Sequence, residues 1–199
     1  MDFVSVCSVG DCTRVFSVRS VLSWLPHSRL TSCVLCDLFA LRRRVSGTWL
    51  DDDHMAILGN DAVVKCDSIV DLFDTWSSIV DNDFWGVPLA HNQSHKSWRP
   101  VTTFSFRVGW CLHGSFLPGF HIVNTLLHVI ATLLFQFLCE SLVFHKAVVS
   151  SRKLRRSLAW TAAMLFGIHP LHVECVSNIV GRAEPLSAIF FILTILVFR

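Results

Sequence analysis

The chain has 199 residues, of which 52% are hydrophobic and only 16% charged. That balance is too apolar for an ordinary soluble domain, and the length is too short for a large membrane enzyme. Seventeen basic against 15 acidic residues give a net charge of +2. The basic side chains gather beside apolar runs and form no stripe, so nucleic acid is not an expected partner.

Residues 1–48 form an N-terminal segment without a coherent pattern. Val21–Leu41 carries Pro26, His27, Arg29 and Asp37, a poor spanning helix, and its apolar part, Leu30–Leu41, is short for a signal-peptide core. Cys33 and Cys36 make a lone CxxC with no second ligand pair, which argues against zinc. The eight cysteines show no paired framework, and Cys139 and Cys175 are expected to pack among apolar neighbours. No metal centre is expected.

Residues 49–115 read as a polar loop between membrane segments. Three consecutive carboxylates, Asp51, Asp52 and Asp53, precede a short apolar turn. Ile69, Leu72, Phe73 and Trp76 fall at helical spacing, which predicts an amphipathic helix on the membrane surface. Pro88 and Pro100 bracket a polar stretch containing His91, His95, Lys96 and Arg99. Asn92-Gln93-Ser94 within it is an N-glycosylation acceptor triplet.

Phe116–Phe144 (residues 116–144) is the predicted transmembrane helix, because no Asp, Glu, Lys or Arg occurs between Arg107 and Glu140. Residues 145–157 then supply Lys146, Arg152, Lys153, Arg155 and Arg156, a short basic loop that marks the cytoplasmic side and puts the flanking polar regions in the opposite compartment. His121, Asn124 and His128 share one face of the span, where they either line a site or bond between helices. Residues 158–199 contain the apolar run Leu158–Ile168, short for a full crossing. A break near Pro170 returns the chain to the lumen. Leu186–Phe198, a run of about 13 residues, does not span a bilayer unaided. The chain reads as a fragment.

Two stretches on the luminal side carry the reactive groups: carboxylates at Asp52, Asp53 and Glu174, cations at His95, Lys96, Arg99 and Arg182, and imidazoles at His169 and His172. A carboxylate that deprotonates a hydroxyl, beside cations that hold a phosphate leaving group, suits glycosyl transfer from a lipid phosphate. The bland alternative for the acidic triplet is a solvated loop. HPLHVE lacks the spacing of a helical zinc protease motif, and Pro170 breaks the helix such a site needs.

At these residues the sequence resembles a known family. WLDDDHMAILGND, NDFWG, SHKSWRP, FHIVNTLLH and HPLHVECVSNIVGRAE, in that order, closely resemble the transmembrane and tetratricopeptide-repeat-containing O-mannosyltransferases over about three quarters of the chain. The resemblance implies an all-α, multi-pass membrane protein of the endoplasmic reticulum, here a partial GT-C glycosyltransferase domain. It implies mannose transfer from dolichyl phosphate mannose, a lipid-linked donor and not a tightly held cofactor, to Ser or Thr of secretory-pathway proteins such as cadherins. The paired aspartates of the family fall on Asp52 and Asp53, one of them the candidate base, with Asp51 where an aromatic or apolar residue is usual. SHKSYRP matches Ser94–Pro100 with Trp98 for Tyr, making Lys96 and Arg99 phosphate contacts. HPxHxEAV matches His169–Val176 with Cys175 for Ala, making Glu174 a second acid, and VGRAE matches Val180–Glu184. Arg42, Arg43 and Arg44 leave no room for the span that precedes the aspartates in the family. The alternative reading is a non-catalytic membrane product that keeps the first luminal loop. A transporter using His121, Asn124 and His128 is a third, which the bulky loop argues against.

Overall fold

A computed structural model describes residues 49–66, 69–74, 76–145 and 148–198; the N-terminal segment, with Cys33, Cys36 and the three arginines at 42–44, lies outside them, as does Lys146. The described chain is helical. A short turn α1 (Asp51–Asp53) runs into a π-helical turn (His54–Leu58), followed by α2 (Asp61–Val64), a 3-10 turn (Ile69–Phe73) and α3 (Trp76–Asp81). Four longer or packed helices follow: α4 (Pro100–His113), α5 (Leu117–Leu138), α6 (Arg152–Gly167) and, beyond the short α7 (Leu171–Ser177), α8 (Ala183–Val197).

Local chemistry sets these boundaries. Pro100 and Pro118 sit in the first turns of α4 and α5, where the missing N–H costs nothing and the fixed φ suits a helix. Ser151 caps α6 by accepting a hydrogen bond from the Leu154 N–H at 3.4 Å. The expected amphipathic helix through Ile69 and Trp76 divides instead into the 3-10 turn and α3. The basic residues Arg152–Arg156 occupy the opening turns of α6, where cations oppose the helix dipole. Arg156 Nε offsets this by donating to Glu140 Oε1 at 3.4 Å.

Among the described residues, two helices are long and apolar enough to cross a membrane. Leu117–Val143 forms a 27-residue helix by continuing from α5 through a π-helical turn, and Val180–Val197 forms an 18-residue one. The second is longer than the apolar run alone predicts, because a 3-10 turn at Val180–Arg182 extends α8 backward. α5 packs chiefly against α8 and α6. Its polar face bonds between elements: Asn124 Nδ2 donates to the carbonyl oxygens of Asn178 (3.1 Å) and Ile179 (3.3 Å), and His128 Nε2 donates to that of Gly167 at 3.0 Å.

The elements preceding α4 and the helix ends share one apolar core, in which Ile57, Phe84, Phe106, Phe120 and Ile179 are fully enclosed. Two buried arginines pin it. Arg107 on α4 donates from Nε to Leu72 O (2.9 Å), from Nη1 to Ala62 O (2.9 Å) and from Nη2 to Asp71 O (2.6 Å), drawing α2 and the 3-10 turn onto α4. One turn further along, a Cys66–Cys111 disulfide, Cα–Cα 5.3 Å, closes the same junction. This pairing corrects the expectation of unpaired cysteines: 45 residues separate the two, so no local spacing reveals them. Cys139 is buried and Cys175 half-buried, as expected.

The second pin is Arg182, 0% exposed. Its Nε donates to Asn124 Oδ1 (2.7 Å), Nη1 to Ser105 O (3.1 Å) and Nη2 to Phe120 O (3.1 Å), tying α8 to α5 and α4. Its guanidinium also stacks 4.5 Å from the Phe106 ring centroid. Gly181 makes this approach feasible, since a Cβ there would lie 2.8 Å from Cys175 Cα.

Removing Asn124 leaves the Arg182 Nε donor unpaired in the core and takes from the Asn178 and Ile179 carbonyls one of their two hydrogen bonds, the others coming from the Gly181 and Arg182 N–H groups. Asn124→Ala is expected to destabilise the fold by about 1–3 kcal/mol, read as a lower Tm in detergent micelles; an unchanged Tm would show that Arg182 does not depend on it.

Candidate functional site

The site is built on the loop that ends in α4. Asp83 organises it. Its Oδ1 accepts hydrogen bonds from the Trp85 and Val87 amides, both at 3.0 Å, and its Oδ2 accepts from the Ser94 hydroxyl (2.6 Å) and the His95 amide (3.1 Å). Burial alone would raise this carboxyl, but the Ser94 hydroxyl and the Val87, Trp85 and His95 amides outweigh it and hold the group below the usual carboxylate range. The loop then threads through Lys96 at φ +57°, a left-handed conformation costing about 1–3 kcal/mol for a non-glycine residue. That conformation is supported by the Lys96 side chain, whose Nζ donates to Leu89 O and His91 O. Trp98 Nε1 donates to Val80 O at 2.9 Å. These ties deliver Arg99 to the N-cap of α4, with its guanidinium 5.0 Å from the Phe84 ring centroid.

Arg99 stands at the junction of two cavities. One, of about 580 Å³, is lined by Arg99, His128, His172, Glu174, Asn178 and Glu184, with apolar neighbours such as Phe166 and Ala188. The other, of about 520 Å³, is a shallower groove lined by Trp98, Arg99, Val101, Glu184, Leu186 and Phe190. Arg99 and Glu184 therefore border both. The first is polar enough to bind a hydroxylated group, and the second offers aromatic and aliphatic walls.

His172 Nδ1 lies 2.6 Å from the Phe166 carbonyl, which can only accept, so Nδ1 carries the proton. Burial, and less strongly the neighbouring His128 and His169, push this imidazole below its ordinary range despite the Phe166 bond. At neutral pH it is uncharged, and Nε2 has a lone pair to offer.

Of the two aspartates, Asp53 borders the wall of this cavity through Val180. Asp52 is exposed, whereas Asp53 is 2% exposed. Asp53 Oδ2 accepts from the Leu50 amide at 3.3 Å, and Oδ1 has no hydrogen-bond partner. Burial raises this carboxyl most. The Leu50 amide and the nearby Val180 amide pull it down, the Asp52 charge adds to the rise, and the net shift is upward. The Val180 amide itself donates to Asn178 Oδ1 at 3.1 Å, so its effect on Asp53 is one of proximity. Val180 and Asn178 both line the larger cavity.

Of the residues singled out by sequence, Arg99, His172 and Glu174 meet in the cavity, and Asp53 adjoins it through Val180. His95 is exposed, with its ring 6.4 Å from that of Trp85, Lys96 is committed to carbonyl oxygens, His169 is exposed, and Arg182 is sealed in the core. Glu184 and Asn178 were not singled out, although Glu184 closes the VGRAE motif and that position was the available signal.

No family model matches the chain, and no solved structure matches it. Among curated proteins, Protein O-mannosyl-transferase TMTC4 of Homo sapiens is 41% identical over 160 residues, 77% of this chain and 20% of the relative. Protein O-mannosyl-transferase TMTC1 of Mus musculus is 38% identical over 157 residues, 79% of this chain and 15% of the relative. The chain belongs to the TMTC family. Protein O-mannosyl-transferase Tmtc2 of Drosophila melanogaster is 37% identical over 191 residues, 96% of this chain and 18% of that protein. The chain thus spans a fifth or less of these relatives, and the portion it spans includes the aspartates, the Asp83 loop and the cavity.

Because the folded Asp83 carboxyl lies below its unfolded value, its stabilisation is present above about pH 4 and is lost as pH falls through the lower folded value. Tryptophan fluorescence titrated into acid should report loop opening below about pH 4, and Asp83→Asn should remove that step. An identical acid step in the variant would assign the transition to another group.

Proposed function

We propose that this chain forms part of a membrane-embedded protein O-mannosyl-transferase with GT-C architecture, in which the Asp83 loop and the α7–α8 junction build the luminal donor site. The observation that carries this reading is the placement of Arg99 between a polar cavity and an apolar groove. A lipid phosphate sugar has that polarity: phosphate at the Arg99 fork, mannose in the 580 Å³ cavity, and the start of the isoprenoid chain along Val101, Leu186 and Phe190. Dolichyl phosphate mannose fits the description. The Cys66–Cys111 disulfide supports a loop in an oxidising compartment, consistent with the endoplasmic reticulum lumen and a multi-pass topology.

In this mechanism Asp52, the exposed carboxylate, takes the proton of an acceptor Ser or Thr hydroxyl as its oxygen attacks the anomeric carbon. Asp53 is enclosed, its burial favours the protonated carboxyl, and its unpartnered Oδ1 faces no competing bond. Arg99 stabilises the charge that develops on the leaving lipid phosphate. Glu174, Glu184 and the neutral His172 offer acceptors for sugar hydroxyls. Cadherin-type domains are the acceptors in keeping with the family.

Asp52→Asn in the full-length protein should lower mannose transfer about 10²- to 10⁴-fold, measured with labelled donor and an acceptor domain. Asp53→Asn should cost less activity and should not lower stability at neutral pH. A raised folded carboxyl contributes stability below its unfolded value and loses it as pH rises through the folded one, so the neutral amide relieves a charge burial. Unchanged transfer in Asp52→Asn would remove it as the base; a larger loss in Asp53→Asn would move the role there.

A further inference from the structure

Asn92 is exposed, but the hydroxyl of the same triplet is not: Ser94 is 9% exposed, and its Oγ donates to Asp83 Oδ2 at 2.6 Å. The neighbouring backbone is also fixed, with the Ser94 N–H donating to His91 O at 3.2 Å and the Gln93 N–H to His91 Nδ1 at 3.2 Å. N-glycosylation joins the Asn amide nitrogen to the anomeric carbon of a lipid-diphosphate oligosaccharide. The carbon–oxygen bond to the diphosphate breaks, the amide proton passes to the transferring enzyme, and the lipid diphosphate leaves. The enzyme must engage the hydroxyl two residues beyond the Asn, which is why the triplet needs Ser or Thr. In the folded loop Asp83 already holds that hydroxyl.

We propose that Asn92 is a glycan acceptor with a time limit: it is modified only on chains that the transferring enzyme reaches before Asp83 captures Ser94. A glycan added in that interval does not prevent folding, because Asn92 points to solvent and Ser94 is released afterwards to bond Asp83. Asp83 thereby sets two things with one carboxylate, the shape of the loop that delivers Arg99 and the closing of the acceptor triplet. The inference rests on the luminal placement of the loop given above.

The test compares the fraction of newly made chains that show a glycosidase-sensitive mobility shift. Ala90→Asn with Asn92→Thr moves the triplet two residues along the same exposed turn, placing its hydroxyl at position 92, clear of Asp83. The expected result is that the moved triplet is modified on most chains and the native one on a minority. Asp83→Ala should raise the native triplet to the level of the moved one. Trp98→Phe, which cuts the separate Trp98–Val80 tie, should leave it low. Native modification equal to that of the moved triplet would overturn the proposal, as would a native level that Asp83→Ala does not raise or that Trp98→Phe raises equally. Absence of modification on every variant, the moved triplet included, would overturn the luminal placement and the proposal with it.

Discussion

The structure depends on the burial of Arg182 among neutral oxygens. A guanidinium with five donors can gather carbonyls from several elements at once, and here it draws on Asn124 and Phe120 of α5 and Ser105 of α4. No described carboxylate forms an ion pair with it, so its charge is dispersed over carbonyl dipoles and the Phe106 and Phe120 faces. Burying such a charge is costly, and the cost is borne only because every arm is used. Once Arg182 is seated, the Val180–Arg182 turn is fixed, and with it the amide that borders Asp53 and the wall of the larger cavity. A residue that reads in sequence as a donor-binding cation is, in space, a core residue that fixes one wall of the larger cavity.

Arg107 repeats the device from α4 itself, binding three carbonyls of the segment between Ala62 and Leu72. The two arginines act on different junctions. Arg107 and the disulfide fasten the loop to α4, and Arg182 fastens α4 and α5 to α8. Arg99 differs from both in remaining exposed, with its guanidinium resting on Phe84 and its donors not spent on backbone carbonyls. Of these three arginines, it is the one left able to bind an anion.

How much of this was legible in the sequence follows from the range of each interaction. The long apolar helix α5 was readable because its signal, an uncharged apolar stretch, is local and continuous, and the break at Pro170 was readable because proline acts on its own helix. The helix predicted through Ile69 and Trp76 failed because Arg107, more than 30 residues away in sequence, takes the Asp71 and Leu72 carbonyls and holds the segment in a tighter turn. The disulfide was missed for a similar reason, since Cys66 and Cys111 meet only when α2 packs on α4. Among the site residues, the motif order identified Arg99, His172 and Glu174, which the fold brings together. It could not tell an arginine that faces a cavity from one that faces the core, because both occur in polar motifs beside apolar runs.

Glu184 shows the same limit from the other side. It follows Arg182 by two residues, so on a helical turn the two side chains point in different directions, and burial of the arginine sends the glutamate outward to the rim shared by both cavities. An acidic group beside Arg99 is unfavourable to a bare phosphate but favourable to a sugar phosphate, whose hydroxyls it can accept while Arg99 holds the anion. In the proposed donor site that pairing would favour the glycosylated lipid phosphate over the bare one, and Arg99 and Glu184 are placed for it only because both reach the one rim that the two cavities share.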